Sequence, residues 1–472
     1  MSSTAMRRGL TAVMGLVLGL GLAASALAQG MYYKEVTKDG RIYVFNVAKN
    51  AEAFDKSGEM GKGLTRVGAG PNGETVVADS EEALELFFFK HGISQEVEKP
   101  KKPVQKIEWR DGKTRITTDK AYIEISSRIQ PRYTQEMPDD SIQLAGTENK
   151  GDSKGSFRIR RAKFKIEGWF YKPELEYEIQ LNWPDASSAQ PNRFLEDANI
   201  DWDVSKKKRF RLRFGQFKAP YGRQQLTSSG AQQFVDRAQT DERYADARET
   251  GFAVWGTLGN NKVDWRAMIS NGNGRSQSGN DNAKYLFTGR VMWQALGNVR
   301  MNQWASGPLL TEGDLGDSQG KPLLAVAVQY GHNNRFLTTT NTDLDNQAVG
   351  FDYTFKYKGF ASVAEYHYRE SKPETGQKFK DKGYNVQASY AWAAPGMPGG
   401  SFWELAFRYS QIDPADIRPI DKRKEIGGAF NYYYNKHNLK LQADFRQIED
   451  EAANSGKGTK NKEFRLQTQF IF

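Results

Sequence analysis

From Ala121 to Phe472 the chain repeats one pattern: about ten residues in which apolar and polar side chains alternate strictly, then a polar loop. Leu175, Tyr177, Ile179, Leu181 and Trp183 alternate with Glu176, Glu178, Gln180 and Asn182, and the runs Val349–Tyr357 and Phe464–Phe472 behave in the same way. A period of two sends successive side chains to opposite faces of a strand, so each run carries one apolar and one polar face. Runs starting at Tyr122, Phe157, Glu174, Leu195, Arg209, Thr250, Lys262, Tyr285, Leu323, Gln347, Phe360, Gly383, Phe402, Glu425, Asn438 and Lys462 predict about sixteen strands, the even count of an up-and-down barrel.

The turns support the same reading. Tyr171-Lys172-Pro173, Ser205–Lys208, Gly259-Asn260-Asn261, Lys358-Gly359 and Asn435-Lys436-His437 are tight, while most intervening connections are longer and rich in Gly, Asp and Ser. Short periplasmic turns and long outer loops alternate in this way in outer-membrane barrels. The connection from Leu296 to Pro322 departs from the rule, being long on the predicted periplasmic side. A soluble sandwich would need a second sheet to cover each apolar face. Here the strands instead carry a polar second face and aromatic ends (Trp183, Trp202, Trp265, Trp293, Trp392, Trp403), which predicts lipid outside, water inside and aromatic girdles at the interfaces. The expected fold class is therefore all-β, a sixteen-stranded antiparallel transmembrane barrel over 121–472, and a barrel of this width leaves an aqueous channel.

The remaining residues divide into three parts. Arg7 and Arg8, the uncharged apolar run Leu10–Ala24 and Ala26-Leu27-Ala28 predict an export signal over 1–28 and a mature start at Gln29. Residues 29–93 read as a small α+β module: Tyr32–Val36 and Arg41–Phe45 flank the turn pair Asp39-Gly40, and Gly68–Gly73 is a turn cluster. A helix follows, with Asp79 as cap, Glu82 completing a capping box and Gly92 as its stop. Residues 94–120 hold a Pro- and Lys-containing linker and a short hairpin.

Composition then excludes several function classes. With no Cys among 472 residues there are no disulfides, thiolate metal sites or Cys nucleophiles, and the four His are scattered without ligand spacing. No cofactor, metal site or enzymatic activity is expected. Outside the first segment no apolar run approaches the ~18–20 residues of a spanning helix. Removing Arg7 and Arg8 leaves 67 − 2 basic against 57 acidic side chains, a net +8, and in an exported protein that excess does not point to nucleic acid.

Parity assigns the inner faces. Arg128 and Arg132 fall inward on the first strand and Arg211 and Arg213 on the fifth, joined by Arg266, Arg290, Arg408, Arg446 and Arg465. On the second strand Arg161, Lys163 and Lys165 share one parity and Arg160 has the other, so a bulge or the strand mouth must place Arg160. Rows of guanidinium groups attract anions into pores. The competing reading pairs each Arg with a wall acid, for which Glu176, Glu178, Asp197, Asp201, Asp203 and Asp264 are available.

Several segments resemble one family. Ser126–Gln130, Phe157–Ala162, Leu212–Gly222, Thr227-Ser228-Ser229 and Phe234–Arg237 are similar to the phosphate-selective porin O and P family, over roughly Tyr122 to Phe472. The resemblance implies a homotrimeric, anion-selective channel of the Gram-negative outer membrane whose long loop after strand five folds into the pore. It also implies an arginine ladder on Arg128, Arg160, Arg161 and Arg237, and a C-terminal Phe472 read by the outer-membrane assembly machinery. In phosphate-binding members the inward loop supplies lysines around the Thr-Ser-Ser piece; here Gln225 and Gly230 flank it, with Lys218 and Arg223 nearby. The expected partners are small anions, phosphate among them, and outer-membrane lipid, with the 29–93 module in the periplasm. The candidate anion path comprises Arg128, Arg132, Arg160, Arg161, Lys163, Arg211, Arg213, Lys218, Arg223 and Arg237. The rival readings are an adhesin or structural tether, and a barrel hydrolase built around the inward His367.

Overall fold

A computed structural model describes residues 32–93, 106–139, 153–183, 194–277, 279–299, 304, 307, 309–337, 342–396, 400–417, 421–453 and 458–472. The export signal and the linker over 94–105 lie outside the described residues. The chain divides into two compact units, Met1–Lys101 and Lys102–Phe472.

In the first unit β1 (Lys34–Lys38) and β2 (Arg41–Phe45) form a hairpin whose turn residues Asp39 and Gly40 both adopt positive φ, the conformation that suits Asp-Gly. Helix α1 (Ala48–Ser57) and β3 (Leu64–Arg66) lead to β4 (Thr75–Ala78), which pairs parallel to β2. Helix α2 (Glu81–Lys90) follows. Alternation along β2 feeds two cores: Ile42 and Val44 pack with Leu84 and Phe87 of α2, and Phe45 packs with Ala51 and Phe54 of α1. The cap of α2 is Ser80, whose hydroxyl accepts from the Ala83 amide, and not Asp79. Asp79 instead accepts from the amides of Asn46 and Val47, because the chain entering α1 offers no capping side chain of its own. Burial alone would raise the Glu35 carboxyl, but hydrogen bonds from Tyr33, His91 and Lys90 outweigh it and hold the group below the usual carboxylate range.

The second unit opens with the hairpin β5 (Lys106–Arg110) and β6 (Lys113–Thr117). The barrel strands follow as β7 (Ala121–Met137), β8 (Lys154–Phe170), β9 (Leu175–Trp183), β10 (Leu195–Asp203), β11 (Arg211–Lys218), β12 (Arg248–Leu258), β13 (Val263–Ser270) and β14 (Leu286–Leu296). The wall continues through β15 (Leu323–Leu337), β16 (Thr342–Tyr357), β17 (Phe360–Pro373), β18 (Phe379–Ala393), β19 (Phe402–Asp413), β20 (Arg423–Asn435), β21 (Leu439–Asp450) and β22 (Thr459–Ile471). Each strand pairs antiparallel with the next, and β22 pairs with β7 from Lys462↔Met137 to Ile471↔Arg128, closing a sixteen-stranded barrel. The seam ends where the Phe472 amide donates to the Ser127 carbonyl at 3.0 Å.

The alternation has the meaning expected of it. Phe351, Leu405 and Phe407 stand more than half exposed on the outer wall, whereas Asp352, Glu404 and Arg408 of the same strands are buried on the inner side. Only lipid covers so continuous an apolar belt. Several outer strand ends run beyond the alternation: β16 begins at Thr342 and not at Gln347, so its connection to β15 is short and not a long loop. Outside the bilayer a strand has no lipid face to mark it. Because a closed hydrogen-bonded sheet has no fraying edge, boiled and unboiled samples in dodecyl sulfate should migrate differently, and identical mobility would contradict the closed barrel.

Candidate functional site

Two segments fold into the lumen. Residues 219–247, between β11 and β12, carry the short helices α3 (Arg223–Leu226) and α4 (Gln239–Tyr244) and cross to the opposite wall. Their backbone groups are met by wall side chains: Gly222 by Gln329, Gly230 by Gln469, Gln232 by Lys440, Val235 by Asp444, Asp236 by Arg408 and Gln239 by Glu425. Such pairing lets irregular backbone stay buried. The connection between β14 and β15, expected to be long on the periplasmic side, also turns inward. Its Leu309, Leu310 and Trp304 pack with Leu226 and Phe217, Glu312 accepts from Gln224 and the Gln233 amide, and Asp317 pairs with Lys356 at 2.7 Å.

Between these segments and the wall from β7 to β12 lies a cavity of about 680 Å³. Its lining holds twelve Lys and Arg against seven Asp and Glu, a net +5. Of the ten candidate residues, Arg128, Arg160, Arg161, Lys163, Arg213, Lys218 and Arg237 line it, and Arg132, Arg211 and Arg223 do not.

The residues that line the cavity fall into three environments. In the first, the turn Leu226–Ser229 collects three cations. Arg128 donates to the hydroxyls of Ser228 and Ser229 at 3.3 and 2.9 Å, Lys218 to the carbonyls of Leu226 and Thr227 at 3.1 Å each, and Arg237 to the carbonyls of Gln224 and Thr227 at 2.8 and 3.2 Å. The nearest carboxylate to Arg237 is Asp241 at 3.5 Å. The second environment centres on Asp236, which faces four guanidinium groups: Arg132 at 2.7 Å, Arg465 at 3.3 Å, Arg161 at 3.4 Å and Arg160 at 3.6 Å. A bulge supplies Arg160, since Gln130 pairs with Arg161 and Pro131 with Ile159, leaving residue 160 unpaired and turned to the lumen.

In the third environment cation and acid neutralise one another. Lys163 pairs with Glu196, and Arg213 with Asp201 at 2.6 Å while stacking on Trp304. Arg248 and Arg275 also reach this row, Arg248 binding Asp197 at 2.8 Å and Arg275 lying 3.6 Å from Glu196. Neither was expected, because residues next to a loop lose the period that assigns faces. Arg211, itself outside the lining, binds two of the lining acids, Asp201 and Glu176, and Arg223 is fully buried, donating to Thr354 and to the carbonyls of Leu309 and Thr311; both act as braces. His367 is packed between Tyr221 and Tyr244, stacked on the latter at 5.1 Å.

Comparison with known proteins agrees with this architecture. The anion-selective porin from Comamonas acidovorans superposes with a TM-score of 0.51 at 11% identity, covering 75% of this chain and all of that one. The outer membrane channel DcaP of Acinetobacter baumannii gives 0.51 at 12% identity over 75% of this chain and 99% of its own. An uncharacterized protein of Aquifex aeolicus (strain VF5) is 24% identical over 388 residues, 74% of this chain and 87% of that protein. The family model described as Phosphate-selective porin O and P matches residues 132–472. A closed sixteen-stranded barrel, a loop after the fifth strand that crosses its lumen and a family match over most of the chain converge: the protein belongs to the phosphate-selective porin O and P family and is a channel of the Gram-negative outer membrane.

Proposed function

We propose that this channel passes small anions in preference to cations, accepting phosphate without being built to bind it tightly. The observation that carries the proposal is the turn Leu226–Ser229, where Arg128 and Lys218 are held by hydroxyl and carbonyl oxygens, and Arg237 by carbonyl oxygens with the Asp241 carboxylate 3.5 Å away. A neutral acceptor leaves a cation's charge uncompensated, and an anion replacing it gains charge-assisted hydrogen bonds. The excess of positive charge in the lining acts in the same direction. The Comamonas acidovorans porin, described as anion-selective, shares the fold. Single-channel recording with substituted salts tests the proposal: exchanging chloride for gluconate should cut conductance sharply, whereas exchanging potassium for a bulky cation should change it little. The opposite ranking would overturn it.

Weak phosphate discrimination follows from the positions flanking the turn. Gln225 lines the cavity and brings no charge. Gly230 lies against Arg128, where an added Cβ would sit 2.2 Å from a guanidinium nitrogen, so a lysine there would displace a cation while adding one. Gln225→Lys alone should therefore strengthen block of chloride current by phosphate, by about tenfold for one added charge-assisted contact. Strong block of the unmodified channel at micromolar phosphate would contradict this reading.

The assembly is proposed to be a homotrimer, as the family resemblance implies, with its outer wall in lipid. The end bearing the tight turns and Phe472 is assigned to the periplasm, and since β7 starts at that end, the module over 32–93 is assigned there too. The exposed aromatic Phe472 is proposed as the mark read by the outer-membrane assembly machinery.

A further inference from the structure

The hairpin β5–β6 lies upstream of residue 132, where the family match begins, yet it belongs structurally to the barrel wall. Strand β22 stops at the level of Ser127, and below that level β6 takes its place beside β7, pairing Thr114↔Ile125, Arg115↔Glu124, Ile116↔Ile123 and Thr117↔Tyr122. The hairpin tip fits closely against the barrel's C-terminal end. Asn438 donates to the Asp111 carbonyl at 3.1 Å, and a Cβ on Gly112 would sit 2.5 Å from the Ile471 carbonyl oxygen, so only glycine suits the position.

The hairpin also shares the alternation of the wall. Ile107 and Trp109 are about two-thirds exposed on the outer side, where an aromatic side chain suits the membrane interface. Lys113 and Arg115 face the lumen and meet Glu124 and Glu167, which sit directly opposite each other on β7 and β8. Like charges in that register repel. Lys113 bridges the two, pairing with Glu124 and lying 3.5 Å from Glu167, and Arg115 binds Glu124 at 2.9 Å. Lys113, Glu124 and Glu167 all line the cavity.

We propose that this hairpin is a lip on the periplasmic mouth of the channel, and that Lys113 and Arg115 determine ion selectivity there by cancelling the charge of Glu124 and Glu167. Without them Glu124 loses both of its cations and Glu167 keeps only Lys165, at 2.7 Å, so the mouth presents excess negative charge to ions entering or leaving on one side only. The inference rests on the proposed anion preference for its direction, but its test compares variant with parent and so stands apart from it.

The experiment is planar-bilayer recording of the full-length channel and of the Lys113→Gln/Arg115→Gln variant. The anion-to-cation permeability ratio should fall roughly two- to threefold relative to the parent, and the current–voltage curve should become asymmetric, because the change lies at one mouth. Adding Glu124→Gln and Glu167→Gln to the pair should restore the parental ratio and symmetry. The fourfold variant removes two charges of each sign and keeps the mouth free of unpaired carboxylates, which guards against misfolding of the double variant. A double variant with the parental ratio and a symmetric curve would overturn the proposal, as would a fourfold variant that keeps the altered ratio. A parent channel that prefers cations would refute the proposed anion preference, while a further shift toward cations in the double variant would still support the lip.

Discussion

Replacing Arg128, Arg160, Arg161 and Arg237 together with glutamate should turn an anion-preferring channel into a cation-preferring one. All four line the cavity, whose charge is +5; each replacement removes two units, so the lining becomes 5 − 8, or −3. In a narrow lumen with low-dielectric walls such charge is poorly screened, and its sign sets which ion is concentrated. The permeability ratio should invert with a total change on the order of tenfold or more. Arg128 should contribute most, because Arg160 and Arg161 already share Asp236 and Arg237 has Asp241 at 3.5 Å. A folded fourfold variant with unchanged preference would return these side chains to a bracing role.

How much of this arrangement could be read from the sequence depends on where a period exists. The wall was legible because lipid and water impose opposite demands on alternate residues, so a run such as Val349–Tyr357 declares both its strand and its faces. Arg160 announced its bulge through a conflict of parity with Arg161 and Lys163. Arg223 and Arg237 lie in a loop without a period, and nothing in their neighbourhood distinguishes the one that braces Thr354 from the one that lines the cavity. Arg211 had the parity of a pore residue but lies next to Asp201 and Glu176, so facing inward was not sufficient. Helix α1 went unread because the group that satisfies its entry, Asp79, comes from far along the chain.

The second large effect is expected from Asp236→Asn. The Asp236 carboxylate joins the inward loop to Arg132, Arg160, Arg161 and Arg465, which face one another across it. Removing one partner of a buried ion pair costs roughly 3–5 kcal/mol. The Asp236 side chain is 22% exposed, so a value toward the lower end is expected. Asparagine keeps the shape and leaves the four cations mutually repulsive. The folded form should convert to the denatured species at a lower temperature, and single-channel conductance should rise and become noisier as the loop loosens. Parental conductance and heat stability would mean that the backbone contacts of Asp236 with Arg408 and of Val235 with Asp444 hold the loop unaided.

The most direct test of anion preference is the zero-current potential of the unmodified channel in a planar bilayer separating two concentrations of KCl. Chloride crossing faster than potassium makes the dilute side negative, and a lining charge of +5 around Arg128, Lys218 and Arg237 predicts that sign. A potential that is positive on the dilute side, as a cation-preferring channel gives, would contradict it.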